Sequence, residues 1–257
     1  MDAVPTDDRG LLLGDGLFET LLADRGRLVD FAAHAERLIR GCGALGLPAP
    51  DAEALASAAA AVLREAGLEA ARAAVRLSWT AGSGGRGLER PAAPAPRLIA
   101  QAAPAPPIET PAILVSVAVR RNEHSPAARL KTLSYLDNVL ARRAARAAGA
   151  DEALMLNTAG EIAGGAAANL FWIADGRLFT PALACGVLDG TLRARVLARA
   201  AQAGVEAVEA RAGRSALASA EGAFLTNSLI GLRPVAAIDG RALAAHALMD
   251  RLVPGTL

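Results

Sequence analysis

The sequence predicts an α+β protein with two domains, and three observations lead to this prediction. The first half of the chain mixes strand-like and helix-like segments, and the second half contains a meander of short strands. Residues 103–111 (APAPPIETP) contain four prolines, which favour a stiff, extended linker. We therefore expect an N-terminal domain over residues 1–105, a C-terminal domain over residues 106–257, and sheets that are mostly antiparallel or mixed.

The N-terminal domain is predicted to contain strands on both sides of a pair of helices. Asp51 is a candidate N-cap of the second helix, because its carboxylate can accept a hydrogen bond from the first turn. The last two strands flank a long loop rich in glycine and proline, residues 81–96 (AGSGGRGLERPAAPAP), which we call the glycine-rich loop. Loops of that kind are often functional or mobile. In chain order the expected elements are a strand over 11–24 with a Gly-Asp-Gly interruption, a short strand over 27–30, helices over 32–46 and 51–66, and strands over 71–80 and 97–102.

The C-terminal domain is predicted to contain more strands than helices. A helix is expected from Ser134, with Leu136, Val139, Leu140 and Ala144 on one face. The other expected elements are strands over 113–119, 153–157, 160–164, 169–174, 177–179, 206–208 and 222–229, a helix over 190–204 and a short helix over 214–219.

Composition and charge exclude several classes of function. The net charge of +1 argues against a nucleic-acid or acidic-membrane partner. No apolar run approaches the roughly 20 residues of a membrane helix, and the N-terminus lacks the pattern of a signal peptide, so we expect a cytoplasmic protein. Two cysteines, Cys42 and Cys185, are too few for a disulfide framework, and the three histidines show no metal-ligand spacing, so no metal is expected.

Lys131 is the only lysine in a chain with 26 arginines. A lysine amine can lose its proton when it is desolvated and then attack a carbonyl to form a Schiff base, whereas a guanidinium cannot. Composition alone leaves open whether Lys131 has this role or is an ordinary surface lysine.

Two segments have the character of anion sites. Residues 190–193 (GTLR) begin a predicted helix, where backbone N–H groups converge on negative charge. Residues 226–228 (TNS) end a predicted strand with three small polar side chains. An ordinary helix start and a polar strand end explain the same residues. Arg37, on a helix with apolar neighbours, is either a partly buried phosphate ligand or a solvated helix charge.

The order of these motifs along the chain resembles that of the class IV aminotransferases, which are fold-type IV pyridoxal-phosphate enzymes. The resemblance covers nearly the whole chain, and its most specific segments lie near Lys131, Asn169 and Ser228. Within the family, the segments AANLFW, SGGRG and TNSLIGLRPV are most similar to aminodeoxychorismate lyase. The segments that carry the resemblance are DRGLLLGDGLFET, AHAERL, SGGRG, RLKTLSYLDNVLA, GEIAGGAAANLFW, GVLDGTLR and TNSLIGLRPV.

The resemblance implies pyridoxal 5'-phosphate as cofactor, a fold-type IV architecture and a role for each matched residue. Lys131 would be the Schiff-base lysine. Tyr135 would lie near the phenolic oxygen of the cofactor, Phe18 would line the substrate pocket, and Arg86, in the glycine-rich loop, would meet a substrate carboxylate. The implied phosphate ligands are Arg37, Thr191, Leu192, Asn227 and Ser228. Because family active sites borrow loops from a partner subunit, a homodimer is also implied.

One position departs from the family pattern. The family usually has a glutamate five residues before the Asn of its Asn-Leu-Phe triplet, where it contacts the pyridine nitrogen of the cofactor, and this chain has Gly164 there. Glu161 is not expected to replace it, because in an extended strand the two side chains face opposite sides. The glycine could instead mark a bulge, or a water could fill the space.

The missing carboxylate bears on which reaction is expected. Without this carboxylate, the pyridine ring of the cofactor withdraws electrons less strongly. The transamination activity should therefore be reduced more than the activity of a lyase whose product is aromatic. The expected activity is aminodeoxychorismate lyase. The alternatives are a transaminase of D-amino or branched-chain amino acids, and a cofactor-binding protein with weak activity. We expect a glutamate at position 164 to raise transamination relative to lyase activity.

Overall fold

The computed structural model describes residues 3–252, which form two compact units. Unit 1 comprises the chain up to Pro106 together with Leu130–Ser134, and unit 2 comprises Pro107–Arg129 and the chain from Tyr135 onwards. No helix among these residues is long and apolar enough to cross a membrane. In the same part of the chain, no group of three or more His, Cys, Asp and Glu side chains is placed to hold a metal ion.

Unit 1 is a four-stranded antiparallel sheet with two helices packed on it. The strand order is β2-β1-β3-β4, and β1 pairs with β3 along its whole length, from Gly16 opposite Thr80 to Asp24 opposite Arg72. Buried leucines of β1, including Leu17 and Leu21, pack with apolar side chains of the helices in one core. The elements are α1 (Arg9–Leu13), β1 (Gly16–Asp24), β2 (Arg27–Leu28), α2 (Phe31–Leu45), α3 (Ala52–Glu65), β3 (Arg72–Thr80) and β4 (Arg97–Pro104).

The segment that carries Lys131 extends the sheet of unit 1. The Phe18 N–H donates to the Lys131 carbonyl at 2.8 Å, and the Leu133 N–H donates to the Gly16 carbonyl at 3.0 Å. The sequence prediction that Lys131 belongs to the C-terminal domain is therefore wrong. Lys131 follows the proline-rich linker in the sequence, but its segment pairs with a strand more than a hundred residues earlier, and this pairing determines its unit.

Unit 2 is built on a nine-stranded mixed sheet. The order is β10-β9-β8-β11-β12-β5-β6-β7, with β13 paired to β12. Its elements are β5 (Ala112–Arg121), α4 (Pro126–Arg129), α5 (Leu136–Ala147), β6 (Glu152–Asn157), β7 (Ile162–Gly164), β8 (Asn169–Ala174), β9 (Arg177–Pro181), α6 (Thr191–Gln202), β10 (Ala207–Ala210), β11 (Gly222–Asn227), β12 (Gly231–Ile238), β13 (Arg241–Ala242) and α7 (Leu248–Leu252).

The two ends of this sheet meet. The Ile162 N–H at the start of β7 donates to the Ala212 carbonyl, just after β10, at 2.8 Å. Glu161 and Gly213 form an isolated antiparallel bridge beside it. The sheet therefore curls into a barrel-like form. The predicted α+β class with mixed sheets is confirmed.

Several predicted elements differ from the observed ones. The strand predicted over 11–24 begins only at Gly16, because Arg9–Leu13 form a short helix capped by Asp8 and by Gly14 in a left-handed conformation (φ 66°). The helix predicted from Ser134 begins at Leu136. Its Leu136, Val139 and Leu140 are exposed, whereas Ala141 and Ala145 form its buried face.

Candidate active site

Lys131 lies beside an aromatic ring and two arginines within unit 1. Its Nζ is 4.4 Å from the centroid of the Phe18 ring, and the Arg76 guanidinium carbon is 3.7 Å from the same centroid. Phe18 is buried, while Lys131 and Arg76 are half-buried. The β1–β3 register explains this grouping, because Phe18 lies opposite Ser78 and the next residue on that face of β3 is Arg76.

The surroundings of Lys131 favour its neutral amine. Burial lowers the pKa of Lys131 to about 8; the positive charges of Arg37 and Arg76 act in the same direction, and the negative charge of Glu19 opposes them. An amine with this pKa is partly deprotonated near neutral pH, which a nucleophilic or basic lysine requires.

A buried carboxylate fixes Arg37. Glu19 is 1% exposed and accepts from Arg37 Nε at 2.8 Å, from Arg37 Nη2 at 2.6 Å and from His34 Nδ1 at 2.7 Å. Burial alone would raise the pKa of Glu19, but the hydrogen bonds from Arg37 and His34 outweigh it and lower the pKa below 4.5. These two hydrogen bonds from Arg37 to Glu19 hold the guanidinium in one orientation, which an arginine that binds an anion specifically requires.

The N-terminus of α6 in unit 2 has the features of an anion site. Its N-cap is Gly190, which supplies no side-chain hydrogen bond to the first turn. A Cβ at position 190 would overlap the amide oxygen of Asn169, so a larger residue there would displace the Asn169 side chain. Thr191 Oγ1 lies 3.4 Å from Ser228 Oγ, and the buried Thr226 Oγ1 has no hydrogen-bond partner among residues 3–252. The helix dipole and these hydroxyls together suit a phosphate.

Asn227 builds the turn that carries Ser228. Its Oδ1 accepts from the N–H groups of Leu229 and Ile230, both at 2.9 Å, and its Nδ2 donates to the Ala167 carbonyl at 2.9 Å. The side chain of Asn227 is therefore committed to the turn. Of the predicted phosphate ligands, Thr191, Leu192, Asn227 and Ser228 lie in unit 2, and Arg37 lies in unit 1.

Gly164 lies on a bulge. The register of β6 and β7 shifts between Met155, opposite Gly164, and Leu156, opposite Ile162, so β7 has one extra residue there. Gly164 has φ 93°, in the region that favours glycine, and a Cβ there would lie 3.2 Å from the Ala168 carbonyl oxygen. Of the two explanations offered for this glycine, the structure supports the bulge.

The two carboxylates of the β6–β7 segment already have hydrogen-bond partners. Glu161 accepts from Arg211 Nε and Asn157 Nδ2, both at 2.8 Å. Glu152, buried beside Gly165, is paired with Arg142 and accepts from the N–H groups of Ala153 at 2.9 Å and Ala166 at 3.1 Å.

The glycine-rich loop is fastened to the start of β1. Asp15 accepts from Arg9 Nε at 2.9 Å and from Arg90 Nη2 at 2.5 Å, and Arg9 also donates to the carbonyls of Leu88 at 2.7 Å and Glu89 at 2.9 Å. Arg86, predicted to meet a substrate carboxylate, is exposed on this loop. Tyr135 lies at the N-cap of α5 in unit 2.

Arg76 is a candidate site residue that the sequence prediction missed. Its position on β3, two residues from the partner of Phe18, is what brings it to Lys131. The alternation of strand residues could have placed it on this face, but only the β1–β3 register shows that the face is shared with Phe18.

Comparison with known proteins is consistent with this geometry. The class IV aminotransferase family matches residues 16–238. A provisionally named branched-chain-amino-acid aminotransferase from Methanocaldococcus jannaschii is 34% identical over 92% of this chain and 83% of that protein. The crystal structure of a provisionally named 4-amino-4-deoxychorismate lyase from Legionella pneumophila is 30% identical, with a TM-score of 0.91, covering 98% of this chain and 94% of that one.

A third relative bears on the cofactor. The pyridoxal-phosphate-bound form of an uncharacterised aminotransferase from Mycobacterium tuberculosis is 25% identical, with a TM-score of 0.85, covering 98% of this chain and 91% of that one. The residues of this chain suit the same cofactor, because Lys131 has an amine of lowered pKa and the buried hydroxyl of Thr226 has no hydrogen-bond partner among residues 3–252. The chain belongs to the class IV aminotransferases and is a pyridoxal-phosphate enzyme.

Proposed function

We propose that this enzyme is an aminodeoxychorismate lyase, which eliminates pyruvate from 4-amino-4-deoxychorismate to give 4-aminobenzoate for folate synthesis. The observation that carries the proposal is the bulge at Gly164. Because the backbone there has φ 93°, a family-type glutamate is absent for a structural reason and the position is adapted to glycine. A reaction that gains an aromatic ring depends least on that carboxylate.

The cofactor, when bound, withdraws electrons from the substrate carbon that bears the nitrogen. Lys131 is proposed to attach it, with Arg37, Thr191, Leu192 and Ser228 binding its phosphate and Asn227 holding Ser228 in place. Tyr135 and Gly164 are proposed to lie beside the ring.

Lys131 is also proposed to move the proton. The free amine of Lys131 would take the proton from the carbon of the substrate ring that bears nitrogen. The carbon–oxygen bond to the enolpyruvyl group then breaks, and the leaving group takes up a proton and departs as pyruvate. A pKa of about 8 suits both the uptake and the release of a proton near neutral pH.

Arg76 is proposed to bind a substrate carboxylate. Both Arg76 and Lys131 lie against the ring of Phe18, so a carboxylate held by Arg76 would bring the substrate within reach of the amine. Arg86 remains a second candidate for that role, from the loop.

A transaminase is the second candidate function, and the similarity to the branched-chain enzyme of Methanocaldococcus jannaschii favours it. A cofactor-binding protein with weak activity is the third, because Gly164 leaves the ring without its usual carboxylate.

The three candidates separate in one set of assays on the protein loaded with pyridoxal phosphate. We expect pyruvate and 4-aminobenzoate from 4-amino-4-deoxychorismate, and slower amino transfer from D-alanine or leucine to a 2-oxo acid. Lys131→Arg keeps a positive charge but cannot attach the cofactor, so it should lower pyruvate release by at least about 10²–10⁴-fold. Amino transfer without pyruvate release would favour the transaminase, and cofactor absorbance with neither activity would favour the third candidate.

A further inference from the structure

A half-buried arginine lies beside the bulge at Gly164. Arg121 ends β5, and its Nη2 is 3.5 Å from Met155 Sδ and 3.3 Å from the Gly165 carbonyl oxygen. Met155 is the residue opposite Gly164 in the β6–β7 ladder, and Gly165 follows Gly164 in the chain. These two contacts place the guanidinium next to the position where the family has a carboxylate.

The guanidinium of Arg121 has fewer acceptors than its burial requires. Its Nε is buried with no hydrogen-bond partner among residues 3–252. A thioether is a weak acceptor, so among residues 3–252 the Gly165 carbonyl is the only strong acceptor that contacts this guanidinium. Buried cations are ordinarily paired or fully hydrogen-bonded, which indicates that Arg121 is arranged for an acceptor that the chain itself does not supply.

The two carboxylates of the β6–β7 segment do not fill this role. Glu152 is held by Arg142 and by backbone N–H groups, and Glu161 is held by Arg211. Burial lowers the pKa of Arg121, while the charges of Tyr135 and Asp137 act in the opposite direction.

We propose that Arg121 takes the place of the absent carboxylate and donates a hydrogen bond to the ring nitrogen of bound pyridoxal phosphate. The inference rests on the proposed function only in placing the cofactor ring beside position 164. A guanidinium has five N–H donors and no acceptor, so a ring nitrogen that faces it must use its lone pair as the acceptor. The adjacent positive charge also disfavours protonation of that nitrogen.

This contact would determine which reactions the enzyme can support. An unprotonated ring withdraws electrons less strongly than a protonated one, so Arg121 disfavours amino transfer, which needs the ring in two half-reactions. An elimination that creates an aromatic ring is affected less. Arg121 would thus be a specificity-determining residue, acting through the protonation state of the ring rather than through contact with the substrate.

The test measures the ring nitrogen directly. The protein is loaded with pyridoxal phosphate carrying ¹⁵N in the ring, and the ¹⁵N chemical shift is recorded near neutral pH for the parent, Arg121→Glu, Arg121→Leu and the control Arg120→Glu. Arg120 is the preceding, exposed residue of β5, so its variant makes the same charge change outside the buried cluster. We expect the parent resonance at the position of an unprotonated, hydrogen-bonded pyridine, and Arg121→Glu should move it to that of the pyridinium ion.

The controls should separate the hydrogen bond from the charge. Arg120→Glu should match the parent, and Arg121→Leu should stay unprotonated but lose the shift due to the hydrogen bond. A parent resonance at the pyridinium position would overturn the proposal, as would equal shifts in Arg120→Glu and Arg121→Glu. If Arg121→Glu fails to fold, the parent and Arg121→Leu spectra still decide. Pyruvate release is measured separately, so a protonated ring in an active lyase would refute the role of Arg121 and leave the proposed function intact.

Discussion

At the scale of single residues, the reactivity of Lys131 depends on burial and on the cations around it. Because its pKa is lowered to about 8, the neutral amine should be reached at a pH well below that of an ordinary lysine. In protein freed of cofactor, the rate of pyridoxal-phosphate attachment should rise with pH and level off above about 8. Absorbance of the attached cofactor, followed from pH 6 to pH 11, gives this profile.

Replacing Arg76 should move that profile. The positive charge of Arg76 helps to lower the pKa of Lys131, so Arg76→Leu should shift the midpoint to higher pH, by up to about one unit, equivalent to about 1.4 kcal/mol. Arg27→Leu, at an exposed position of β2, is the matched control and should leave the midpoint unchanged. A parent midpoint near 10.5, or an equal shift in both variants, would contradict this account of Lys131.

Substitution by alanine should change the free energy of unfolding in opposite directions at Gly164 and at Gly43. Gly164→Ala should lower the free energy of unfolding by about 1–3 kcal/mol, because its φ of 93° is strained for alanine and the Ala168 carbonyl oxygen is only 3.2 Å from the new Cβ. Gly43→Ala, at an exposed helical position with open space around it, should raise it by about 0.5–1 kcal/mol. Urea unfolding of both variants measures the difference.

The same strain changes the meaning of a glutamate at position 164. Gly164→Glu would combine backbone strain with any effect on the chemistry, so a loss of both activities would not show that the missing carboxylate is unimportant. The unfolding result for Gly164→Ala tells how much of any loss is structural. If that variant is as stable as the parent, the strain argument is wrong and the glutamate substitution becomes a clean test.

At the scale of elements, the glycine-rich loop is held by Asp15. Arg9 and Arg90 both donate to its carboxylate, and the side chain of Arg9 is buried. Asp15→Asn should lower the free energy of unfolding by about 2–3 kcal/mol and expose the loop to trypsin at Arg86 and Arg90. Asp24→Asn, which loses only an exposed pair with Arg25 at 3.5 Å, should change neither.

The Asp15 contacts should also be lost in acid. The hydrogen bond from Arg90 is the main cause that lowers the pKa of Asp15 below 3.8, against the effect of burial. A carboxyl whose pKa is lower in the folded state stabilises the fold above its unfolded pKa, and this stabilisation disappears as the pH falls through the lowered value. The stability difference between parent and Asp15→Asn should therefore be complete near pH 6 and shrink below about pH 4. A difference that is independent of pH would show that the charge of Asp15 is not what holds the loop.

Elements with a regular apolar period were predictable from the sequence, and those that depend on distant partners were not. The strand at 72–80 and the helices after Asp30 and Asp51 show clear periods, and Asp51 accepts from the Glu53 N–H as a cap should. The strand at 231–238 was missed, since Arg233 and Pro234 interrupt its pattern. The pairing of 131–133 with β1 has no local signal at all, because it is specified only by the edge of a strand far away in the sequence.

At the scale of the whole molecule, the candidate site was predictable as a set of residue types but not as an arrangement. Lys131, Arg37 and the residues at the start of α6 were found from their motifs. Lys131 and Arg76 both contact Phe18 because of the strand register. The Nε of Arg121 lacks a hydrogen-bond partner among residues 3–252, beside the bulge opposite Met155. Both depend on which strands become neighbours, and residue types do not determine that.

The homodimer implied by the family can be tested on α5. Leu136, Val139 and Leu140 lie at helical spacing and are 67%, 57% and 40% exposed, although the helix buries Ala141 and Ala145. Apolar area left in water costs about 25 cal/mol per Å², so we expect a second copy of the chain to cover this stripe. Val139→Glu should shift the protein toward monomer in sedimentation equilibrium, because a charge would be buried without a partner. Arg143→Glu, at an exposed position of the same helix, should keep the parent mass. A parent that sediments as a monomer, or a Val139→Glu variant that keeps the dimer mass, would mean that α5 does not form the interface.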